Sequence, residues 1–336
     1  MMRRLTIAFL ACGFALTAWL VWRAGVPAIG AALRTVGLSG LAAIATFHLV
    51  GTILMGLAWW RLLRLGKSRT FIWARLVRDA GAEVLPLSQI GGYVLGARSV
   101  IVQGIGGISV AASTVVDATL EFSAQITYAA IGLSLFMWLS PGRGIAKLAV
   151  TGLSVGVIVA VAFIALQRRP SDFLPRLAKR LAGSRFGHVV DSAAAVQIEI
   201  RRLARFDRVW LSYILHLGAW FVSGFEAWFA LRLMGVALGF ATVLAIESLV
   251  HAMRAIAFAV PSALGVQEGA YILLGAAFGL PPEFALGVSL LRRGRDLLLG
   301  VPALLTWQIS EGRKRWSGGS LTPLAIPVEP SSTEGN

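Results

Sequence analysis

The sequence predicts an all-α protein, a polytopic integral membrane helical bundle, and three observations support this prediction. Of the 336 residues, 57% are hydrophobic and only 14% are charged, whereas a soluble domain carries about 25% charged residues. The charges are also segregated, because long apolar stretches alternate with short basic loops. Many of those stretches reach the ~20 residues that a helix needs to cross a hydrocarbon core of about 30 Å.

The hydrophobic pattern predicts a single transmembrane domain over residues 1–316, built as two halves. The first half covers about 1–166, a basic connector covers about 167–208, and the second half covers about 209–316. We count about seven to eight hydrophobic segments, two of which are broken or re-entrant helices. The connector is typical either of a basic amphipathic helix on the cytoplasmic surface or of a plain linker. The Ser-, Pro- and Gly-rich residues 317–336 predict a disordered tail.

The net charge of +15 is also found in proteins that bind nucleic acids, but membrane topology explains it better. Lys and Arg accumulate in cytoplasmic loops and set the orientation of membrane proteins. Six basic residues between positions 61 and 78, against Arg23 and Arg34 in the loop before, favour a cytoplasmic N-terminus. The basic run 313–315 places the C-terminus on the same side. We therefore expect anionic membrane lipids, and no nucleic acid, as partners of the basic surface.

Two broken segments interrupt the apolar pattern at matching places in the two halves. Each places an arginine seven or eight residues before a proline, followed by glycines and a tyrosine. Proline removes a backbone donor and glycine permits non-helical geometry, and hydrocarbon tolerates this only where protein or a watery cavity satisfies the freed groups. Paired breaks indicate a substrate site in secondary transporters; kinks between packed helices are the alternative. The segments contain Arg78, Glu83, Pro86, Gly91 and Gly92, and Arg254, Pro261, Gly265, Glu268 and Gly269.

Ionisable residues inside apolar stretches are the second functional signal. Each charge near the bilayer centre costs about 2.5–3.5 kcal/mol, so it usually faces a cavity or a partner. Asp117 and Glu121 are four residues apart and share a helix face. We expect them to pair with Arg293 or Arg98. Asp296 occupies the corresponding place after the second break, and we add all five residues to the candidate translocation site.

The sequence contains no recognisable metal or cofactor motif. His48, His216 and His251 are scattered, and none stands at a metal-ligand spacing from another His or Asp. No His-Glu-x-x-His element, Walker loop or nucleophile elbow is present. We therefore expect no cofactor, no metal and no catalytic residue set, so that any transport would run on a gradient or merely equilibrate.

The segment Arg78…Leu85-Pro86…Gly91-Gly92 and its counterpart Pro261…Gly265…Glu268-Gly269 resemble the flippase-like membrane family that includes the transmembrane part of lysylphosphatidylglycerol synthase. The likeness covers about residues 5–312. In that family the segment after each break often carries Glu-Arg-x-x-Asp. Here Ala118 replaces the arginine in the first copy, and Arg292 replaces the first acid in the second.

Within that family, the size and the Trp-rich early spans are most similar to the hopanoid-biosynthesis-associated branch. The resemblance implies residence in the bacterial inner membrane and a role in moving or presenting lipids. It implies a lipid substrate, either a hopanoid or an anionic phospholipid, and lipid-biosynthesis enzymes as further partners.

These observations favour a transporter-like protein in which a lipid headgroup enters a cavity lined by the ionisable residues, with free backbone donors at the two half-helix ends. Two alternatives stay open. One is an intramembrane lipid-modifying enzyme that uses Asp117 with Glu121, or Glu268, as general base. The other is a scaffold for lipid-biosynthesis enzymes that docks them on residues 167–208.

Overall fold

The structure is a computed structural model that describes residues 2–84, 88–139, 154, 187–257 and 260–316. All regular structure within these ranges is helical, which confirms the predicted fold class. Pro86, most of the predicted span at 148–166, residues 167–186 of the connector and the predicted disordered tail 317–336 lie outside the described residues.

Three of the described helices, α2, α5 and α7, are long and apolar enough to cross a membrane. The second of the ten described helices is interrupted at Gly37, whose φ is 62°. In chain order the elements are α1 Met2–Ala24, α2 Val26–Leu63, α3 Ser68–Val84, α4 Ser88–Ile101, α5 Gly107–Leu139, α6 Gly187–Leu203, α7 Phe206–Leu233, α8 Phe240–Ile256, a 3-10 turn Pro261–Ala263, α9 Val266–Ala276 and α10 Pro282–Trp316.

Around the first break, α3 and α4 form an antiparallel pair, called here the first hairpin. A Cβ added to Gly92 would lie 2.4 Å from the carbonyl oxygen of Arg78, and one added to Gly96 would lie 3.1 Å from that of Ala74. Residues later in α4 therefore contact residues earlier in α3, as antiparallel packing requires. Glycine is needed at these positions because only a residue without a side chain lets two helix backbones approach so closely.

Around the second break, α8 and α9 form the second hairpin. The hydroxyl of Tyr271 donates to Glu247 Oε2 at 2.5 Å, and Arg254 Nη1 donates to Gln267 Oε1 at 2.6 Å. Later residues again meet earlier ones, so this pair is also antiparallel. The chain reverses through the 3-10 turn and Gly265, whose φ of 79° lies in the left-handed region that favours glycine.

The two hairpins enter the bundle from opposite ends. The loops on either side of the first hairpin meet, since a Cβ on Gly66 would lie 3.0 Å from Ile105 Cδ1. Phe278, just after the second hairpin, instead packs against Phe136 near the end of α5, with ring centroids 5.2 Å apart. Helix α5 begins beside the first hairpin and ends beside the second, so the two hairpins start at opposite ends of the bundle. Each hairpin also finishes at the end of the bundle where it started. Both broken segments are therefore re-entrant.

The described part of the basic connector is helix α6, and its apolar face packs on the bundle. Ile200 and Leu203 are buried in a cluster with Trp59 of α2 and Phe71 of α3. Since this face is covered by protein, the amphipathic pattern of α6 reflects packing against the first half of the chain.

The close approach inside the first hairpin makes Gly92 sensitive to substitution. Gly92→Ala places a methyl group against the Arg78 carbonyl, and overpacking of this kind costs about 1–3 kcal/mol. We expect a lower midpoint of thermal unfolding for the detergent-purified variant. Gly269→Ala is the matched control, because nothing lies within 4 Å of the added methyl and alanine favours a helix by about 1 kcal/mol. Equal midpoints for both variants would contradict the antiparallel contact.

Candidate functional site

A cavity of about 510 Å³ lies between the two hairpins and the long helices α2, α5, α7 and α10. Its wall includes five arginines and five carboxylates. Charged walls of this density inside an apolar bundle require partners for nearly every group, because an unpaired buried charge is costly. The ion pairs described below supply those partners.

The first hairpin is joined to α5 by a buried ion-pair network. Both terminal nitrogens of Arg75 donate to the two carboxylate oxygens of Glu121, at 2.9 and 2.8 Å, and its Nε donates to Asp79 at 2.9 Å. Arg78 donates to Glu121 at 2.5 Å and to Asp117 at 3.2 Å. Bidentate arginine–carboxylate pairs are among the strong, directional hydrogen bonds, so α3 is held on α5 in one register.

Two further side chains complete this first network. His216 Nε2 of α7 lies 2.9 Å from Asp117 Oδ1, and both side chains are buried. The guanidinium of Arg78 also lies 3.7 Å from the centre of the Tyr93 ring, a cation–π contact that holds α4 on α3. The network therefore connects four helices.

The second hairpin is joined to α10 by a network of opposite polarity. Here the acid, Glu247, lies on the hairpin, and it forms a buried salt bridge with Arg292 of the long helix. Arg292 also donates to the hydroxyl of Tyr271 at 3.1 Å. His251 Nε2 lies 2.9 Å from Glu247 Oε1. The first hairpin thus presents arginines to carboxylates of α5, and the second presents a carboxylate to an arginine of α10.

Glu268 closes the amino-terminal end of α9. Its Oε2 accepts a hydrogen bond from the backbone N–H of Gly265 at 2.8 Å, and its Oε1 accepts from Arg293 at 2.7 Å and from Ser289 at 2.8 Å. The expectation of free backbone donors at the half-helix ends is therefore wrong for α9. The chain's own carboxylate occupies the position that an anionic ligand would take.

A third group of charges lies farther along α10. Arg295 forms a salt bridge with Glu226 of α7 and donates to Asp296 at 2.6 Å. His48 Nδ1 of α2 lies 3.6 Å from the second oxygen of Glu226. The run 292–296, which the sequence pattern placed between two apolar runs, lies inside α10, where it faces partners on three other helices.

The tips of the two hairpins touch each other at the cavity wall. Glu83 at the end of α3 forms a salt bridge with Arg254 at the end of α8. Ser262 in the second break donates to the carbonyl oxygen of Glu83 at 2.7 Å. These contacts place the end of α3 beside the end of α8 and the 3-10 turn.

The cavity wall contains part of the predicted site. The predicted residues that line it are Arg78, Glu83, Glu121, Arg254 and Asp296. Asp117, Glu268 and Arg293 lie behind the wall in the ion-pair networks, and Pro261 begins the 3-10 turn. Gly91, Gly92, Gly265 and Gly269 belong to the hairpins, where Gly92 and Gly265 make close contacts with Arg78 and Leu16.

The predicted partners of Asp117 and Glu121 were wrong. Arg98 instead forms a salt bridge with Glu311, which joins α4 to α10, and Arg293 pairs with Glu268. The arginine partners of the two acids are on α3, because the antiparallel hairpin brings that helix beside α5.

The site predicted from the sequence left out several charged residues of the wall, namely Arg75, Asp79, Glu226, Arg292 and Arg295. One available signal was spacing. Arg75 with Arg78, and Arg292 with Arg295, stand three residues apart and therefore share a helix face. Charges on one face of a helix inside an apolar region indicate a buried polar surface.

Ser223, His251 and Glu247 have the composition of a catalytic triad but not its geometry. Ser223 Oγ lies 3.1 Å from His251 Nε2, and Glu247 lies 2.9 Å from the same nitrogen. A relay needs the nucleophile on one ring nitrogen and the carboxylate on the other. Arg292 also donates to Ser223 Oγ at 2.9 Å. The cluster therefore satisfies polar groups without activating the serine.

Two re-entrant hairpins that meet at a charged cavity define a helical membrane protein with an internal polar site. The family described as the lysylphosphatidylglycerol synthase TM region matches residues 7–303, and the chain belongs to that family. No curated protein and no solved structure is significantly similar to it. The family resemblance of the sequence is thus confirmed, while the hopanoid-associated branch stays a prediction.

Removal of one acid from the first network should destabilise the fold strongly. Glu121→Gln leaves Arg75 and Arg78 without their shared carboxylate, and loss of one partner of a buried ion pair costs about 3–5 kcal/mol. Asp207→Asn is the control, because its pair with Arg64 is exposed and such pairs contribute at most about 1 kcal/mol. Thermal unfolding of both variants measures the difference. Similar midpoints would exclude a stabilising role for the network.

Proposed function

We propose that this protein translocates or presents a membrane lipid whose polar headgroup occupies the cavity between the two hairpins. The observation that carries the proposal is a cavity of about 510 Å³ whose wall has ionised side chains from both hairpins. Such a wall offers a headgroup hydrogen bonds and charges that hydrocarbon lacks. Membership of the lysylphosphatidylglycerol synthase TM family supports a function related to membrane lipids.

The opposite entry of the two hairpins supports movement of the lipid across the membrane. A site between two elements that enter from opposite ends can be exposed to either side when one element shifts relative to the other. The tips meet at the wall through Glu83 and Arg254. Displacement of either tip would therefore change access to the same cavity.

We further propose the bacterial inner membrane as the location, with both termini in the cytoplasm. The basic loop between α2 and α3 supports this orientation, because cytoplasmic loops concentrate Lys and Arg. The first hairpin would then enter from the cytoplasm and the second from the outer side. The proposed lipid is a hopanoid or an anionic phospholipid, supported by the likeness of the early spans to the hopanoid-associated branch and by the arginines of the wall.

A scaffold for lipid-biosynthesis enzymes is the second candidate, and the surface of α6 favours it. Arg202 is exposed on that helix, while the apolar face beneath it is buried. Deletion of the whole connector would remove Ile200 and Leu203 from the core, so surface substitutions give the cleaner test. A scaffold should fail when Arg201 and Arg202 are replaced by Gln, whereas a translocator should retain its activity.

The first measurement compares lipids from the inner and outer membranes of a gene-deletion strain and its complemented parent. We expect every lipid species to be made and one class to change its distribution, because the proposed activity moves a lipid without modifying it. Loss of one species with accumulation of its precursor would reject translocation in favour of the enzyme or the scaffold.

A bulky side chain in the cavity should stop the activity without unfolding the protein. Ala118 lies on the cavity wall in α5, so Ala118→Trp fills space that the headgroup would use. We expect complementation of the deletion strain to be lost at an unchanged protein level. Met137→Trp on the same helix is the control, because Met137 is exposed on the outer surface. Full complementation by Ala118→Trp would place the headgroup elsewhere.

A further inference from the structure

The salt bridge between the hairpin tips, formed by Glu83 and Arg254, indicates which ligand group the cavity binds. We infer that Arg254 binds the phosphate of the lipid headgroup and that this phosphate takes the place of the Glu83 carboxylate. The inference rests on the proposed function in one respect, that a headgroup enters the cavity. It adds the chemical group that the site recognises, a phosphate, and the contact that phosphate binding breaks, the salt bridge between Arg254 and Glu83.

Arg254 is the most accessible of the arginines on the cavity wall. Its side chain is 14% exposed, whereas the other four are between 3% and 6% exposed. Each of those four also forms a salt bridge with a carboxylate that is at most 12% exposed. A headgroup phosphate that enters the cavity therefore meets the Arg254 guanidinium first, and a guanidinium is the side chain whose planar fork matches phosphate oxygens best.

Glu83 can leave Arg254 with a small penalty. Its side chain is 22% exposed, so water can solvate it once it is released. Glu121, in contrast, is held by two buried arginines. An incoming phosphodiester also carries one negative charge, so the exchange leaves the charge beside Arg254 unchanged. A net change of buried charge, which is the expensive step, is avoided.

Arg254 keeps its position during the exchange because a second contact holds it. Its Nη1 donates to Gln267 Oε1 at 2.6 Å, and Gln267 Nε2 donates to Ser289 Oγ at 2.7 Å. Ser289 in turn donates to Glu268 at 2.8 Å. This chain of hydrogen bonds fixes the guanidinium to α9 and α10, both outside the first hairpin. Displacement of the Glu83 carboxylate therefore removes the salt bridge between the tips and leaves the hydrogen bond from Ser262 to the Glu83 carbonyl oxygen, while the phosphate-binding group stays in place.

The test uses two variants that break the same salt bridge from opposite sides. Binding of dihexanoyl phosphatidylglycerol to the full chain in a maltoside detergent is measured by calorimetry. Arg254→Gln should weaken binding about tenfold or more, because a charge-assisted hydrogen bond is lost. Glu83→Gln should tighten binding several-fold, because the competing carboxylate is gone. A salt bridge with a purely structural role predicts a change of the same sign in both variants, and that result would overturn the assignment.

Two control variants, one conservative variant and two further ligands complete the test. Arg64→Gln and Asp207→Asn break an exposed salt bridge away from the cavity and should leave the affinity unchanged. Arg254→Lys retains the charge, and it should weaken binding less than Arg254→Gln does. Dihexanoylglycerol, which lacks the phosphate, should bind at least tenfold more weakly; equal binding would overturn the inference. Inorganic phosphate that binds as tightly as the lipid would assign the site to free phosphate and reject the lipid headgroup.

These measurements separate the inference from the proposed function. Phosphate-dependent binding that needs Arg254, in a protein whose deletion changes no lipid distribution, would keep the binding site and remove the translocation activity. Altered lipid distribution with no effect of Arg254→Gln on binding would do the reverse.

Discussion

The structure depends on the buried ion pairs between each re-entrant hairpin and the long helix that follows it. A helix that turns back inside a bundle has short legs and leaves polar backbone groups near its tip, so apolar packing alone holds it weakly. Arg75 and Arg78 bind Glu121 in the first half, and Glu247 binds Arg292 in the second. Since loss of one partner would strand the other in a low-dielectric interior, these pairs fix both hairpins and, with them, the cavity.

The two networks have opposite arrangements of charge, and this difference restricts which helix can supply the ion-pair partners of each hairpin. The first hairpin carries arginines toward carboxylates of α5, and the second carries Glu247 toward Arg292 of α10. If the first hairpin took the place of the second beside Arg292, Arg75 and Arg78 would face that arginine, and like charges in a poorly solvated interior repel strongly. The charge pattern therefore selects one arrangement of two hairpins that have similar lengths and similar breaks.

The fold was predictable to the extent that its signals are local. Long apolar stretches predicted the helical bundle, and the proline–glycine pattern predicted both breaks. The sequence did not decide whether the broken segments re-enter, because crossing and returning segments have the same composition. They differ only in whether the two ends of the segment lie close together, as the contact between Gly66 and Ile105 shows for the first hairpin. The partners of Glu121 are 43 and 46 residues away along the chain, a distance over which side-chain spacing carries no information. Likewise, the sequence did not show how the charges at 292–296 pair, because their buried partners are on other helices.

The distribution of exposure among the ion pairs suggests where the bundle can move. Pairs that join a hairpin to its long helix are deeply buried, as Arg78 with Asp117 and Arg292 with Glu247 are. The pair that joins the two tips is the more exposed one, between Arg254 and Glu83. Because water weakens an ion pair in proportion to its access, the contact between the tips is the easiest to exchange. Both residues of that contact line the cavity, so a charged group in the cavity would compete for them directly.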